Sequence, residues 1–253
     1  MWPTYVDLAL NELGPATETY IGQIANEHVD WFAPFGREDL VLRYARAVPI
    51  DVASGLLGMG ERYAADLGQS LSALVDGTLP PDRAQQALSG VCRQLVVEKQ
   101  AMPGPDLVSW MLHHAPAGRR KEVARQTQRL LLGITVSATT RIALELSRRL
   151  PSPGSPAAET DQDSQRDGTG DGLPEGGTWI VGLLVRTAVD RLLVRLPDLR
   201  LRMPLSELLW EPLEGVRFPR SLPAVFTPVR VRYGADEDIA WLPEPIFTTT
   251  PPH

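Results

Sequence analysis

The segment from Lys121 to Leu150 constrains the fold of this chain more than any other part of the sequence. It contains no Gly-Pro break, and its middle part, Leu130 to Ala138, is almost continuously apolar. A helix that is apolar on all sides is normally buried at the centre of a large helical domain. We therefore predict one long buried helix over 121–150 in a mainly α protein.

The rest of the first 150 residues shows the periodicity of amphipathic helices. Apolar residues recur at helical spacing from Tyr20 to Trp31, which predicts a helix with an apolar stripe along this range. Asp106 stands directly before an apolar run and is predicted to cap a helix over 107–114. The same periodicity predicts three further helices, over 38–57, 63–75 and 83–100.

The composition changes sharply over residues 151–177. This stretch is poor in hydrophobic residues and rich in Pro, Gly, Ser and Asp, which is typical of a disordered linker. It separates a helical body over 1–150, including the central helix, from a C-terminal part over 178–253. We predict a helix over 179–196 in that part, followed by a short β hairpin within 197–233 and an extended, Pro-rich tail.

Charge and cysteine content argue against several classes of function. The formal net charge is −6 and the sequence pI is about 5.3, so no nucleic-acid partner is expected. No apolar run approaches the roughly 20 residues that span a bilayer, and the N-terminus lacks the features of a secretory signal. The single cysteine, Cys92, fits a reducing cytoplasm, where we expect the protein to be.

The sequence offers little for metal binding or nucleophilic chemistry. Its four histidines and one cysteine show no zinc-binding spacing. His113 and His114 are adjacent on a predicted helix, where side chains point about 100° apart, so a polar helix end is favoured over a metal site. Ser109 and Ser137 lack the context of a nucleophilic serine. Cys92 is interpreted as a small core residue.

Several segments, in the right order, resemble parts of bacterial cytochromes P-450. The segment 192–226 contains Leu-Pro-Asp-Leu-Arg-Leu, a Trp-x-Pro step and a closing Leu-Pro-Ala-Val, like the end of that family. The segments 39–58 and 94–112 resemble its earlier helices. The segment 130–140, which ends in Thr139 and Thr140, resembles its long central helix. The resemblance implies a shortened P-450-like helical domain with a small C-terminal β element.

The residues that the resemblance would assign to haem chemistry are missing. In that family a loop before the last long helix carries the cysteine that binds the haem iron, and 151–177 contains no cysteine. The family's Glu-x-x-Arg helix has no counterpart there either, and its His-x-x-x-Arg helix would lie before residue 15. Ala138 replaces the acid that acts with the threonine at Thr139. Because P-450 oxygen chemistry needs an axial thiolate, we expect no haem, no other cofactor and no monooxygenase activity.

These departures favour a non-catalytic protein that acts by contact with another protein. The resemblance points to the haem-less P-450-like auxiliary proteins of actinobacterial biosynthesis, which activate glycosyltransferases. We therefore expect a biosynthetic enzyme as the partner, or self-association. Core packing is the favoured interpretation of the tryptophans, and three of them are also interface candidates, namely Trp179, Trp210 and Trp241.

Two alternative functions would use the apolar pocket that an absent haem leaves. One is a cofactor-free cyclase or isomerase, and the other is a carrier for a hydrophobic polyketide- or terpenoid-like molecule. Thr135, Ser137 and Thr139 on the central helix would line that pocket, although no acid–base pair stands beside them in the sequence. A remnant without function is a further alternative, which the intact amphipathic patterning disfavours.

Overall fold

The computed structural model describes residues 1–60, 63, 80–153, 172–213, 216–230, 246–247 and 250–251. Its α-helices are α1 (Thr4–Leu10), α2 (Ala16–Phe32), α3 (Ala47–Leu56), α4 (Pro81–Ala101), α5 (Leu107–His114), α6 (Arg120–Arg149) and α7 (Glu175–Arg195). Its strands are β1 (Arg37–Asp39), β2 (Arg200–Leu201), β3 (Trp210–Leu213), β4 (Val216–Pro219) and β5 (Pro223–Val225). The fold is mainly α with a small β element, as the sequence predicts.

The long central helix is confirmed. The helix α6 covers nearly all of the range 121–150, and its side chains are buried along most of its length, among them Leu130, Ile134 and Ile142. Helices α3, α4, α5 and α7 pack around it. By length and composition alone α6 is apolar enough to cross a membrane, but 56% of its apolar window is buried inside the protein. This burial is typical of the core helix of a large helical domain.

Helix α7 packs against α2 and α6, so residues from both sides of the segment 151–177 share one hydrophobic core. The buried Tyr44 hydroxyl donates a hydrogen bond of 2.6 Å to the carbonyl of Ala188 in α7. Arg195 at the end of α7 forms an ion pair with Asp30 of α2. The helix begins at Glu175, so the last three residues assigned to the linker are helical.

The predicted cap of α5 is confirmed. The Asp106 Oδ1 atom accepts a hydrogen bond of 2.8 Å from the backbone N–H of Ser109, and its Oδ2 atom lies 2.8 Å from Nζ of Lys99. The carboxylate is buried, and Gly58 lies against it with a left-handed backbone, at a φ of 74°. A Cβ at Gly58 would be 2.5 Å from Cγ of Asp106. The glycine therefore makes room for the capping side chain.

The β element consists of two small antiparallel sheets. Strand β5 lies between β1 and β2, and Val225 stands opposite both Arg37 and Arg200. Strands β3 and β4 form the predicted hairpin. Asp39 ties β1 to the C-terminal segment, because its Oδ1 atom accepts the backbone N–H of Leu222 at 3.0 Å.

The helix predicted over 38–57 is wrong at its start. Residues 37–39 form β1, a π-helical turn follows over Val41–Ala45, and α3 begins only at Ala47. Pairing with β5 outweighs the local helical periodicity here, and the local sequence carries no sign of that distant strand. Residues 229–233 have the alternating sequence Val-Arg-Val-Arg-Tyr, which is typical of a strand, but 229–230 form none. Residues 231–233 lie outside the described residues, as do residues 64–75 of the helix predicted over 63–75.

Candidate functional site

The middle of α6 faces the start of α7, where the resemblance would place haem chemistry. The side chain of Leu173, two residues before α7, packs on α6 at Gly133. A Cβ on Gly133 would lie only 2.5 Å from Cδ2 of Leu173. The absence of a side chain at this glycine therefore lets the chain that leads into α7 rest directly on the central helix.

The N-terminal segment and α1 close the same region from another side. The indole N–H of Trp2 donates a hydrogen bond of 2.5 Å to the carbonyl of Gly172. The guanidinium carbon of Arg129, in α6, lies 4.2 Å from the centroid of the Trp2 ring. At the start of α7, a Cβ on Gly176 would lie 2.8 Å from Cβ of Leu10 in α1. Side chains of the N-terminal segment, α1 and α6 thus lie close to the start of α7.

The residues at this place do not fit a haem of the P-450 kind. Its iron needs a thiolate ligand, and residues 172–177 contain no cysteine. The chain's one cysteine, Cys92, is fully buried in α4, and burial raises the pKa of its thiol to about 12. Without a bound metal, a thiol with that pKa stays protonated at neutral pH. We assign no haem-dependent step to these residues.

The three hydroxyls that were predicted to line a pocket all lie on α6, but they form no reactive group. Thr135 is buried, and its Oγ1 atom donates a hydrogen bond of 2.7 Å to the carbonyl of Leu131 in its own helix. Ser137 is half-buried and Thr139 is buried. Within the described part of the chain, no carboxylate is hydrogen-bonded to any of the three hydroxyls.

Exposed apolar side chains gather where α2 ends. Trp31 and Phe35 are 54% and 63% exposed, and their ring centroids lie 6.1 Å apart in an edge-to-face arrangement. The guanidinium carbon of Arg43 lies 4.6 Å from the centroid of the Trp31 ring, which makes a cation–π contact. Leu42, next to Arg43, is also exposed. We call Trp31, Phe35, Leu42 and Arg43 the aromatic face.

Helical spacing explains why Trp31 lies outside the core. The buried side of α2 includes Ile21, Ala25, Val29 and Phe32. Because Trp31 directly precedes Phe32, its side chain points about 100° away from that side. The predicted apolar stripe is therefore wrong at its last residue. The signal that would have shown this is Phe32, which stands three positions after Val29 and completes the stripe in place of Trp31.

The predicted interface tryptophans lie in different environments. Trp179 is 51% exposed near the start of α7. Trp210 is half-buried, and its indole N–H donates a hydrogen bond of 3.4 Å to the carbonyl of Leu205. Trp241 lies outside the described residues. The aromatic face, which the sequence analysis did not single out, joins more exposed apolar side chains than Trp179 alone.

A polar depression of about 470 Å³ adjoins the aromatic face at Phe35. Charged side chains line it, including those of Arg37, Glu38 and Arg202. Protein interfaces commonly combine apolar anchors with a polar rim. The aromatic face and this depression together form a candidate interaction surface. Among the described residues there is no group of three or more His, Cys, Asp or Glu side chains placed to hold a metal ion.

Comparison with curated proteins finds two cytochromes P-450 with similar sequences, both from Saccharopolyspora erythraea. The chain is 31% identical to cytochrome P-450 107B1 over 102 residues, which cover 40% of this chain and 25% of that protein. It is 31% identical to the 6-deoxyerythronolide B hydroxylase over 98 residues, which cover 36% and 24%. The matches thus span about a quarter of each relative's length. No protein-family model matches the chain.

Solved structures of cytochromes P-450 share the fold over most of the chain. OxyE, a cytochrome P-450 involved in teicoplanin biosynthesis, has a TM-score of 0.68 at 16% identity, covering 87% of this chain and 76% of that chain. A structure from work on unusual P-450-like monooxygenases of microbial secondary metabolism has a TM-score of 0.66 at 18% identity, covering 87% and 79%. The fold of the described residues is the one these proteins share.

Proposed function

We propose that this homologue of the cytochromes P-450 is a non-catalytic, haem-less cytoplasmic protein that works by contact with another protein. The packing of Leu173 on Gly133 carries the proposal, in a chain whose one cysteine is buried in α4. The fold of the family is kept, and the contact between Leu173 and Gly133 and the burial of Cys92 support a protein without haem.

The aromatic face supports a role in protein contact. Tryptophan, tyrosine and arginine carry much of the binding energy at protein interfaces, where they act as central anchors. Trp31 and Arg43 already stack on each other in the free chain, with Phe35 edge-on to Trp31. Side chains held in one arrangement before binding lose less conformational entropy on binding. The polar depression beside Phe35 then provides part of the rim.

The proposed partner is a biosynthetic enzyme. Proteins that share the fold are described as acting in microbial secondary metabolism and in teicoplanin biosynthesis. The haem-less P-450-like auxiliary proteins that the sequence resembles activate glycosyltransferases. We therefore name a glycosyltransferase of such a pathway as the first partner to test, with self-association as the other outcome.

The test is transferase activity with and without this chain. A glycosyltransferase encoded beside the gene for this protein would be purified alone and after co-expression with it. We expect the co-expressed enzyme to be more active and to elute with the chain in size-exclusion chromatography. A transferase that is equally active alone, with this chain eluting separately, would contradict the proposal.

Variants locate the contact. The double variant Trp31→Ser, Phe35→Ser should lose the activation, because truncating an interface anchor costs at least about 2 kcal/mol, or roughly 30-fold in affinity. The matched control is Val194→Ser, which changes an exposed apolar residue away from the aromatic face, on α7. This variant should keep the activation. If Trp179→Ser loses the activation while the double variant keeps it, the interface lies at the start of α7 and not at the aromatic face.

The cofactor-free enzyme and the carrier gain no such support. The Thr135 hydroxyl is engaged by its own helix, and neither the depression beside Phe35 nor a second one beside α1 is lined by Thr135, Ser137 or Thr139. Among the described residues, no observation favours chemistry at these three hydroxyls.

A further inference from the structure

A second depression, of about 570 Å³, lies between α1 and the N-terminal end of α6. Leu8 and Pro116 form apolar parts of its wall, while Tyr5, His114 and Arg119 supply polar groups. None of its lining residues belongs to the aromatic face. We call it the α1–α6 depression.

The Tyr5 side chain is the strongest sign that this depression takes a ligand. Tyr5 is only 7% exposed, and its hydroxyl has no hydrogen-bond partner among the described residues. Burial raises the pKa of this hydroxyl to about 12, and the charges of Glu122, Arg125 and Arg119 also act on it. Tyr5 lines the depression together with these three charged side chains. Because buried polar groups are nearly always paired, a ligand oxygen would complete this one.

His114 provides another unpaired polar atom on the same wall. Its Nε2 atom is buried without a hydrogen-bond partner in the described part of the chain. The Oε1 atom of Glu12 is 3.8 Å away, beyond hydrogen-bond distance. The ring of Trp110 stacks on the imidazole with a centroid distance of 5.6 Å, so packing fixes the orientation of the histidine.

The charges around the depression favour an anion. Glu122 is occupied, since Arg125 and Gln126 each donate a hydrogen bond of 2.5 Å to it, and the bond from Arg125 lowers the pKa of its carboxyl. Arg119 forms no ion pair among the described residues, and no side chain caps the N-terminal end of α6, which directly follows it. The free N–H groups at the start of a helix attract negative charge.

We propose that the α1–α6 depression binds a small organic anion, either a carboxylate or a phosphate monoester, whose apolar part lies against Leu8 and Pro116. Arg119 and the uncapped start of α6 hold the anionic oxygens. The Tyr5 hydroxyl donates a hydrogen bond to one of them. This ligand site goes beyond the protein-contact function and does not depend on it.

Calorimetric titration of the full chain with hexyl phosphate and, separately, with hexanoate tests the proposal. Tyr5→Phe should weaken binding by roughly tenfold, because a hydrogen bond to a charged group is lost. The same variant should keep or raise the melting temperature of the ligand-free protein, because an unpaired buried hydroxyl is removed. Arg119→Gln should also weaken binding roughly tenfold. Tighter binding of hexanoate indicates a carboxylate ligand, and tighter binding of hexyl phosphate indicates a phosphate monoester.

Arg120→Gln is the matched control, since this exposed neighbour of Arg119 does not line the depression. It should leave the affinity within about twofold. Absence of binding by both anions would overturn the proposal. So would a Tyr5→Phe variant that destabilises the ligand-free protein and leaves the affinity unchanged, because the hydroxyl would then have a structural partner. Neither result bears on haem content or on transferase activation, so failure here is separate from failure of the proposed function.

Discussion

Gly58 combines two reasons why no other residue suits its position. Its φ of 74° is left-handed, and a Cβ there would lie 2.5 Å from Cγ of the buried Asp106. We therefore expect Gly58→Ala to lower the free energy of unfolding by about 2–4 kcal/mol, measured by urea denaturation. The matched control is Gly60→Ala, because nothing lies within 4 Å of a Cβ at Gly60; its effect should stay within about 0.5 kcal/mol. Equal losses at both positions would contradict this account.

Cys92 is predicted to be inert in the folded protein. The residue is fully buried, and its pKa of about 12 keeps the thiol protonated at neutral pH. We expect a thiol reagent at about pH 8 to label the native protein slowly and the guanidinium-unfolded protein fast, because only the thiolate reacts. Rapid stoichiometric labelling of the native protein would contradict the burial of Cys92 and reopen its role as a ligand.

At the scale of the elements, Asp106 couples α4 to α5. Its side chain caps α5 through the N–H of Ser109 and pairs with Lys99 of α4. Asp106→Ala should lower the free energy of unfolding by about 2–4 kcal/mol, because the cap is lost and a largely buried ammonium loses its partner. Asp106→Asn keeps a good capping side chain and should cost less. If denaturation shows equal losses for both variants, the cap contributes nothing measurable.

How far the elements follow from the sequence depends on where their stabilising partners lie. The central helix and the cap at Asp106 are set by residues close in the chain, and both were predicted. Strand β1 was not, because it exists only through pairing with β5, with Arg37 opposite Val225. The contact between Gly133 and Leu173 was likewise out of reach of periodicity, since it joins residues on either side of the segment 151–177. The apolar stripe of α2 was predicted to end at Trp31, but it ends one residue later, at the buried Phe32.

At the scale of the whole molecule, the burial of tyrosine hydroxyls and of the cysteine thiol should limit stability at high pH. Burial is the main cause that raises the pKa of Tyr5 and Tyr20 from about 10 to about 12, and that of Cys92 from about 9 to about 12. As the pH rises, the unfolded chain therefore loses these protons at a lower pH than the folded chain does. Stability should be full below about pH 9 and should fall as the pH rises towards about 12.

Urea midpoints measured at several pH values between about 8 and 11 check this prediction. The Cys92→Ala variant should show a shallower alkaline decline than the natural sequence, because one of the raised groups is gone. A midpoint that stays constant over the whole range would contradict the burial of these side chains.

We propose that this chain keeps the P-450 fold without its haem. The most direct test is the absorption spectrum of the purified full chain, reduced and treated with carbon monoxide, with iron quantified on the same sample and haem supplied during expression. We expect no Soret band and no bound iron, because Leu173 packs on Gly133 and Cys92 is buried as a thiol. A Soret band with stoichiometric iron would contradict it, and would mean that another side chain of this protein binds the iron.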